Sequence, residues 1–138
     1  MAKSIGRLIS ILYRKSLVYM NSALKEYGLT ASEQPFLTSL YHYNGMTQEQ
    51  LSEHLNIDKA ATARVVQSLV AKGFVVKRKA VDDKRFNRIF LTEKGKESKR
   101  YVLPILSQWS ELLAAGMDEE TRDALYGTLE TMVSHVGQ

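Results

Sequence analysis

Arg64 and Gln67 stand three residues apart, a spacing that sets a guanidinium beside a carboxamide on one helical face. Both groups are planar forks. A guanidinium pairs bidentately with the O6/N7 edge of guanine, and a carboxamide does the same with the N6/N7 edge of adenine. If Thr62, Val65 and Leu69 face inward, then Lys59, Ala60 and Ala63 share that outward face, and the alanines let the helix backbone approach base edges closely. A second cationic group, Lys84 and Arg85 with Arg88 behind it, follows two aspartates in the run Asp82-Asp83-Lys84-Arg85. Cations on a projecting tip suit a narrow, A·T-rich minor groove. Asp83 is an anion where phosphates are expected. Two residues before Arg85, it can accept hydrogen bonds from the guanidinium or the turn backbone and fix the arginine's direction. Thr47 and Gln48 open a helix whose free N–H groups and dipole can hold a phosphate. Each of these residues also has an ordinary reading: a solvated helix face, a helix cap, or a pair of turn-forming aspartates.

The chemistry depends on the elements that carry it. Apolar residues recur at helical spacing from Ile5 to Tyr27, with Ile11 and Val18 widening the stripe, which predicts a first helix that meets more than one partner. Gly28 is its stop. Thr30 and Glu33 have capping-box spacing, but Pro35 favours a second helix that starts at Ser32 and runs to about Tyr43. After the turn Asn44-Gly45, Thr47-x-x-Gln50 caps a short third helix that ends at Leu55-Asn56-Ile57. Asp58 caps the fourth, which runs to Gly73. Two helices joined by so short a link, with Asn where the backbone turns left-handed, form a helix-turn-helix, and Leu51, Leu55, Ile57, Thr62, Val65 and Leu69 are its inward set. Phe74 to Lys79 and Phe86 to Leu91 are rich in aromatic and β-branched residues, so the charged run between them is a hairpin tip. Thr92 then caps a long helix through about Gly116, kinked at Pro104, and Asp118-Glu119-Glu120 opens the last helix. The fold class is mostly α with a small β-hairpin.

Composition narrows the function classes. The chain has 138 residues, 44% hydrophobic and 25% charged, which suits one compact globular domain. It has no cysteine, which excludes disulfides, thiol nucleophiles, thiol redox sensing and Cys-ligated zinc. His42, His54 and His135 are far apart and form no recognised ligand pattern, so neither a metal nor a cofactor is expected. No nucleophile–base pair, phosphate loop or hydrolase motif marks an enzyme. No apolar run reaches the roughly 18–20 residues of a membrane span, and Arg7, Arg14 and Lys15 interrupt any signal-peptide core. A soluble, cytoplasmic protein is expected. Residues 72–100 hold eleven Lys and Arg against four Asp and Glu, whereas residues 101–138 hold one against six. A basic middle on an acidic end points to a polyanion-binding element.

The run LNIDKAATARVVQSLVAKGFV, followed by DDKRFNRIFLTEKGK, resembles the MarR family of winged helix-turn-helix regulators. The D-x-R element is Asp83-Lys84-Arg85, and Leu91-Thr92-Glu93-Lys94-Gly95 is the L-T-x-x-G that follows it. GLTASEQPFL and GMTQEQLSEHL match the second and third helices, so the likeness covers essentially the whole chain. It implies a DNA-binding lobe over residues 30–100 and dimerisation helices over 1–27 and 101–138. It also implies a homodimer on a pseudo-palindromic double-stranded operator, with Arg64 in the major groove and Arg85, supported by Asp83, in the minor. A further implication is a small aromatic or anionic ligand, phenolic acids included, in a crevice lined by Tyr13, Arg14, Phe36, Leu40, Tyr43 and Trp109; these same side chains otherwise serve as core and interface. Ala60, Ala61 and Ala63 replace the hydroxyl residues frequent in the family, leaving contact with thymine methyls in place of hydroxyl hydrogen bonds. A ligand-independent DNA-architectural protein and a winged-helix protein-interaction module are the alternatives.

Overall fold

The computed structural model describes residues 3–137 and divides into two compact units, one up to Ile105 and one from Leu106. In the first unit, α1 (Ile5–Leu24) starts on Ser4, whose hydroxyl accepts from the Arg7 amide at 3.1 Å. It tightens into a 3-10 turn over Lys25–Tyr27 and stops at Gly28, where φ is 74°, a left-handed conformation that suits glycine. The second helix, α2 (Gln34–His42), begins two residues later than Ser32, the expected start. Only the returning half of the Thr30/Glu33 capping box forms: the Glu33 carboxylate accepts from the Thr30 amide at 2.9 Å, while the Thr30 hydroxyl bonds that of Ser32. Residues 31–33 are therefore a turn, and Pro35 falls in the first helical turn, where no hydrogen bond is lost.

The helix-turn-helix follows as expected. Thr47 and Gln50 form both halves of the capping box of α3 (Gln48–Leu55), at 3.0 and 2.9 Å. Asn56 turns left-handed at φ 55°, and Asp58 accepts from the Ala61 amide at 2.7 Å to open α4 (Lys59–Ala71). The buried residues of α4 are Thr62, Val66 and Leu69, not the expected Val65, which is half-buried, as are Leu55 and Ile57 of the expected inward set. Positions 62, 66 and 69 lie at the i, i+4, i+7 spacing of one helical row, and Val65 sits at its edge. Together with Leu51, Phe36, Leu37 and Leu40 they form the core of this unit.

Thr62 is fully buried, and its hydroxyl has no hydrogen-bond partner among the described residues. A buried hydroxyl without a partner costs about 1–3 kcal/mol. Thr62→Val keeps the shape and removes the polar atom, so it is expected to stabilise the protein by about 1 kcal/mol. Urea unfolding checks this: a rise in the midpoint at unchanged slope is expected, and a fall in the midpoint counts against it.

The hairpin pairs β1 (Val75–Lys79) with β2 (Asn87–Leu91), antiparallel, with Val75 opposite Leu91 and Lys79 opposite Asn87. The segment before α3 flanks the other edge of β2: Gly45 donates to the Ile89 carbonyl at 2.9 Å, and Ile89 donates to the Met46 carbonyl at 2.8 Å. The hairpin is thus tied to the start of the helix-turn-helix. Buried Val75, Ile89 and Leu91 face the core.

The single helix expected after Thr92 is two. α5 (Glu93–Glu97) and α6 (Lys99–Leu113) are interrupted at Ser98, and α6 runs through Pro104. A polar side chain marks the break. Ser98 is fully buried; its hydroxyl donates to the Gly95 carbonyl at 2.5 Å and pairs with the Tyr41 hydroxyl. Burial pushes the Tyr41 phenol up to about 12, so the ring stays neutral and available as a donor. In the second unit, Asp118 caps α7 (Glu119–His135), and Arg122 grips Glu111 with two hydrogen bonds at 2.9 and 3.0 Å.

Candidate nucleic-acid interface

α4 presents Lys59, Ala60, Arg64 and Gln67 to solvent, with Ala63 half-buried between them. Among the described residues, no hydrogen bond or ion pair engages the side chains of Arg64 and Gln67. The adjacent half of the interface is the mouth of α3. Thr47 keeps its hydroxyl on the cap, and Gln48 is half-buried beside it. Thr47, Gln48, Lys59, Arg85 and Asn87 line one open cleft of about 230 Å³. Residues read separately from the sequence, on two helices and a hairpin, thus converge on one surface. Lys59 also reaches Glu49 at 3.5 Å, an exposed pair that a phosphate can replace at little cost.

At the hairpin tip the geometry of Asp83 and Arg85 is specific. The Asp83 carboxylate accepts from the Arg85 amide at 3.0 Å, from Nε at 3.0 Å and from Nη2 at 2.6 Å. The arginine's hydrogen bonds, first from the side chain and then from the backbone, hold the Asp83 carboxyl below its usual range, and the carboxylate holds the guanidinium's pKa up. The guanidinium also lies 5.7 Å from the centre of the Phe86 ring. Arg85 is thereby aimed while it stays exposed, and Lys84 beside it is exposed too. Arg88 differs. It donates to the Gly45 carbonyl at 3.1 Å and pairs with Asp82 at 3.3 Å, bracing the hairpin against the helix-turn-helix.

The MarR family model matches residues 29–86, the stretch that holds α2, α3, α4 and the hairpin tip. A MarR transcriptional regulator from Methanosarcina mazei Go1 is similar along nearly the whole length, with 40% identity, a TM-score of 0.91, and 95% of this chain and 94% of that one covered. The chain belongs to the MarR family. The HTH-type transcriptional regulator YybA of Bacillus subtilis, itself described as uncharacterized, is 26% identical over 96% of this chain and 88% of its own length. A MarR-family regulator from Listeria monocytogenes, solved in complex with a 26mer DNA, shares the fold with a TM-score of 0.93 at 23% identity over 98% of this chain and 90% of that one.

As a MarR regulator, the chain is a winged helix-turn-helix DNA-binding protein, with the β1–β2 hairpin as its wing. Among the described residues, no helix is long and apolar enough to cross a membrane. The residues expected to line a ligand crevice do not all face open space. Phe36 and Leu40 have no exposed surface and belong to the core, because the α2 positions 36, 37 and 40 form its inward row. Tyr13 and Arg14 on α1 and Tyr43 at the end of α2 are exposed, while Trp109 is half-buried in the second unit. One group escaped the sequence reading. Glu33, read only as a cap, is 2% exposed and accepts from Ser68 Oγ of α4 at 2.5 Å and from Nζ of Lys72, the C-cap of that helix, at 2.8 Å. The i, i+4 spacing of Ser68 and Lys72 was the available signal; nothing in the sequence aligned it with Glu33.

Proposed function

We propose that this MarR regulator acts as a homodimeric repressor of a pseudo-palindromic operator and is released by a small aromatic or anionic ligand. The carrying observation is a pair of cationic readers of unlike kind: Arg64 unengaged on an exposed helix face, and Arg85 exposed but aimed by Asp83. The first suits bidentate pairing to guanine in the major groove, the second the narrow minor groove. The duplex bound by the Listeria relative supports a nucleic-acid partner. Dimerisation is supported by apolar side chains that the terminal helices leave exposed, Ile5, Leu8 and Leu12 on α1 and Tyr126, Leu129 and Val133 on α7. In the competent dimer the two α4 helices lie about 34 Å apart, one duplex turn. The exposed Tyr13, Arg14 and Tyr43 offer ring surface and a cation to an aromatic acid.

Binding to a duplex selected from random-sequence DNA tests the reading. Arg64→Ala is expected to weaken that complex by about 1–3 kcal/mol and relax selectivity at one base position. Arg85→Ala weakens sites with A·T-rich flanks most. Unchanged affinity in both variants would favour a protein-interaction role, and equal wild-type affinity for every duplex would favour DNA architecture. Release of the selected duplex by simple phenolic acids tests the ligand.

A further inference from the structure

Arg64, Ser68 and Lys72 follow one another at four-residue spacing, so they form a single row that runs along α4 and ends on its C-cap, Lys72, whose backbone is still right-handed helical. The two rear members of the row are held by one carboxylate: Glu33, buried at the start of α2, accepts from Ser68 Oγ at 2.5 Å and from Lys72 Nζ at 2.8 Å. Its own position is fixed by the Thr30 amide at 2.9 Å. Burial pushes the Glu33 pKa up, but hydrogen bonds from Lys72, Ser68 and Thr30 and the Lys72 charge outweigh it, leaving the carboxyl below its usual range and ionised. The free end of the row is Arg64, which lines the same cleft of about 420 Å³ as Glu33, Ser68 and Lys72.

We propose that Glu33 is a positioning residue for sequence recognition: by gripping Ser68 and Lys72 it fixes the rotation of α4 about its axis and so aims Arg64 at its base. The inference rests on the reading of Arg64 given above. Thr62, Val66 and Leu69 seat the buried face of α4 and set its coarse rotation, but no hydrogen bond is among these contacts, since Thr62 Oγ1 has no partner; Glu33 adds two directional holds beside that face. Lys59–Glu49 is exposed at both ends, which makes it a weak restraint. Rotation matters because side-chain tips lie about 5–6 Å from a helix axis, so a turn of about 20° moves a tip about 2 Å. A bidentate hydrogen bond tolerates only a few tenths of an ångström. Two holds one helical turn apart restrain that rotation.

The experiment compares a duplex selected from random-sequence DNA with a random duplex of equal length, across a salt series, at a temperature where every variant is folded. Glu33→Gln and Lys72→Met are each expected to lower the ratio of specific to non-specific affinity about tenfold. The random-duplex affinity and its salt slope stay at the wild-type values, a result that a merely structural role, seen only as lowered stability, does not produce. In the Arg64→Ala background, Glu33→Gln has no further effect on the ratio, because the glutamate acts through that arginine. If Glu33→Gln does not fold, Lys72→Met and its double variant with Arg64→Ala decide. An unchanged ratio, full additivity with Arg64→Ala, or a salt slope reduced by about one in Lys72→Met, which marks a direct phosphate contact, overturns the inference. If Arg64→Ala itself leaves the ratio unchanged, it is the reading of α4 that fails.

Discussion

Gly95→Ala is expected to lower the stability of the folded protein by about 3 kcal/mol or more, because its side chain has nowhere to go. A Cβ at this position would lie 2.1 Å from the Phe74 carbonyl oxygen and 3.0 Å from Leu91 Cδ2. The first obstacle is backbone, and it is pinned: the Phe74 carbonyl accepts from the Thr92 amide at 3.0 Å, and the Thr92 hydroxyl holds the neighbouring Gly73 carbonyl at 2.6 Å. Gly95 is held as firmly, its amide by the Thr92 hydroxyl at 3.1 Å and its carbonyl by Ser98. Relief requires α5 to leave the base of the wing, which breaks several of these bonds together. Gly127, inside α7, is the matched control, since a Cβ there meets nothing of its own chain within 4 Å. Gly127→Ala is expected to be neutral or to stabilise by about 0.5–1 kcal/mol through the higher helix propensity of alanine. Urea unfolding at one fixed protein concentration checks both. Wild-type stability in Gly95→Ala would contradict the close approach of α5 to the wing.

Gly95 also marks what could be read from the sequence. Its place in Leu91-Thr92-Glu93-Lys94-Gly95 was legible as a family motif, but its physical need, a helix seated against the Phe74 carbonyl, appears only in three dimensions. Local chemistry was legible throughout. The Thr47/Gln50 box, the left-handed Asn56, the Asp58 cap and the Asp83–Arg85 pairing all involve residues within three positions of one another, so spacing alone encodes them. Structure departs from local pattern where distant residues decide. The helix after Thr92 is interrupted at Ser98, whose buried hydroxyl meets Tyr41, 57 positions away, and no local pattern marks that site in preference to Pro104. Val66 rather than Val65 faces the core, a one-residue difference that periodicity alone resolves poorly in a helix with alanines on several sides. Phe36 and Leu40 lie in the core rather than a crevice, a distinction that aromatic and apolar side chains, suited to either, do not carry in sequence. Glu33 was missed for the same reason as Ser98: its partners lie 35 and 39 positions along the chain.

That distant pairing gives the second large effect. Glu33→Ala is expected to cost about 3 kcal/mol of stability at neutral pH, since removing one partner of a buried ion pair strands the others. The loss has three parts: a hydroxyl at Ser68, an ammonium at Lys72 and the Thr30 amide all lose their acceptor. Lys72 can turn to water, because its side chain is 34% exposed against 3% for Glu33, which keeps the cost at the low end for a buried pair. The pH dependence separates this origin from simple loss of packing. Burial alone disfavours the Glu33 carboxylate, but the bonds from Lys72, Ser68 and Thr30 outweigh it and leave the folded carboxyl below its ordinary value. A group depressed on folding contributes stability that is fully present above its unfolded pKa and is lost as pH falls through the folded one. The gap between wild type and Glu33→Ala in urea midpoint is therefore constant through the neutral range. It narrows in acid, as the wild-type carboxylate protonates and releases Lys72. A gap that stays constant down to full protonation would assign the loss to packing, leaving the ion pair with no net part in holding α4.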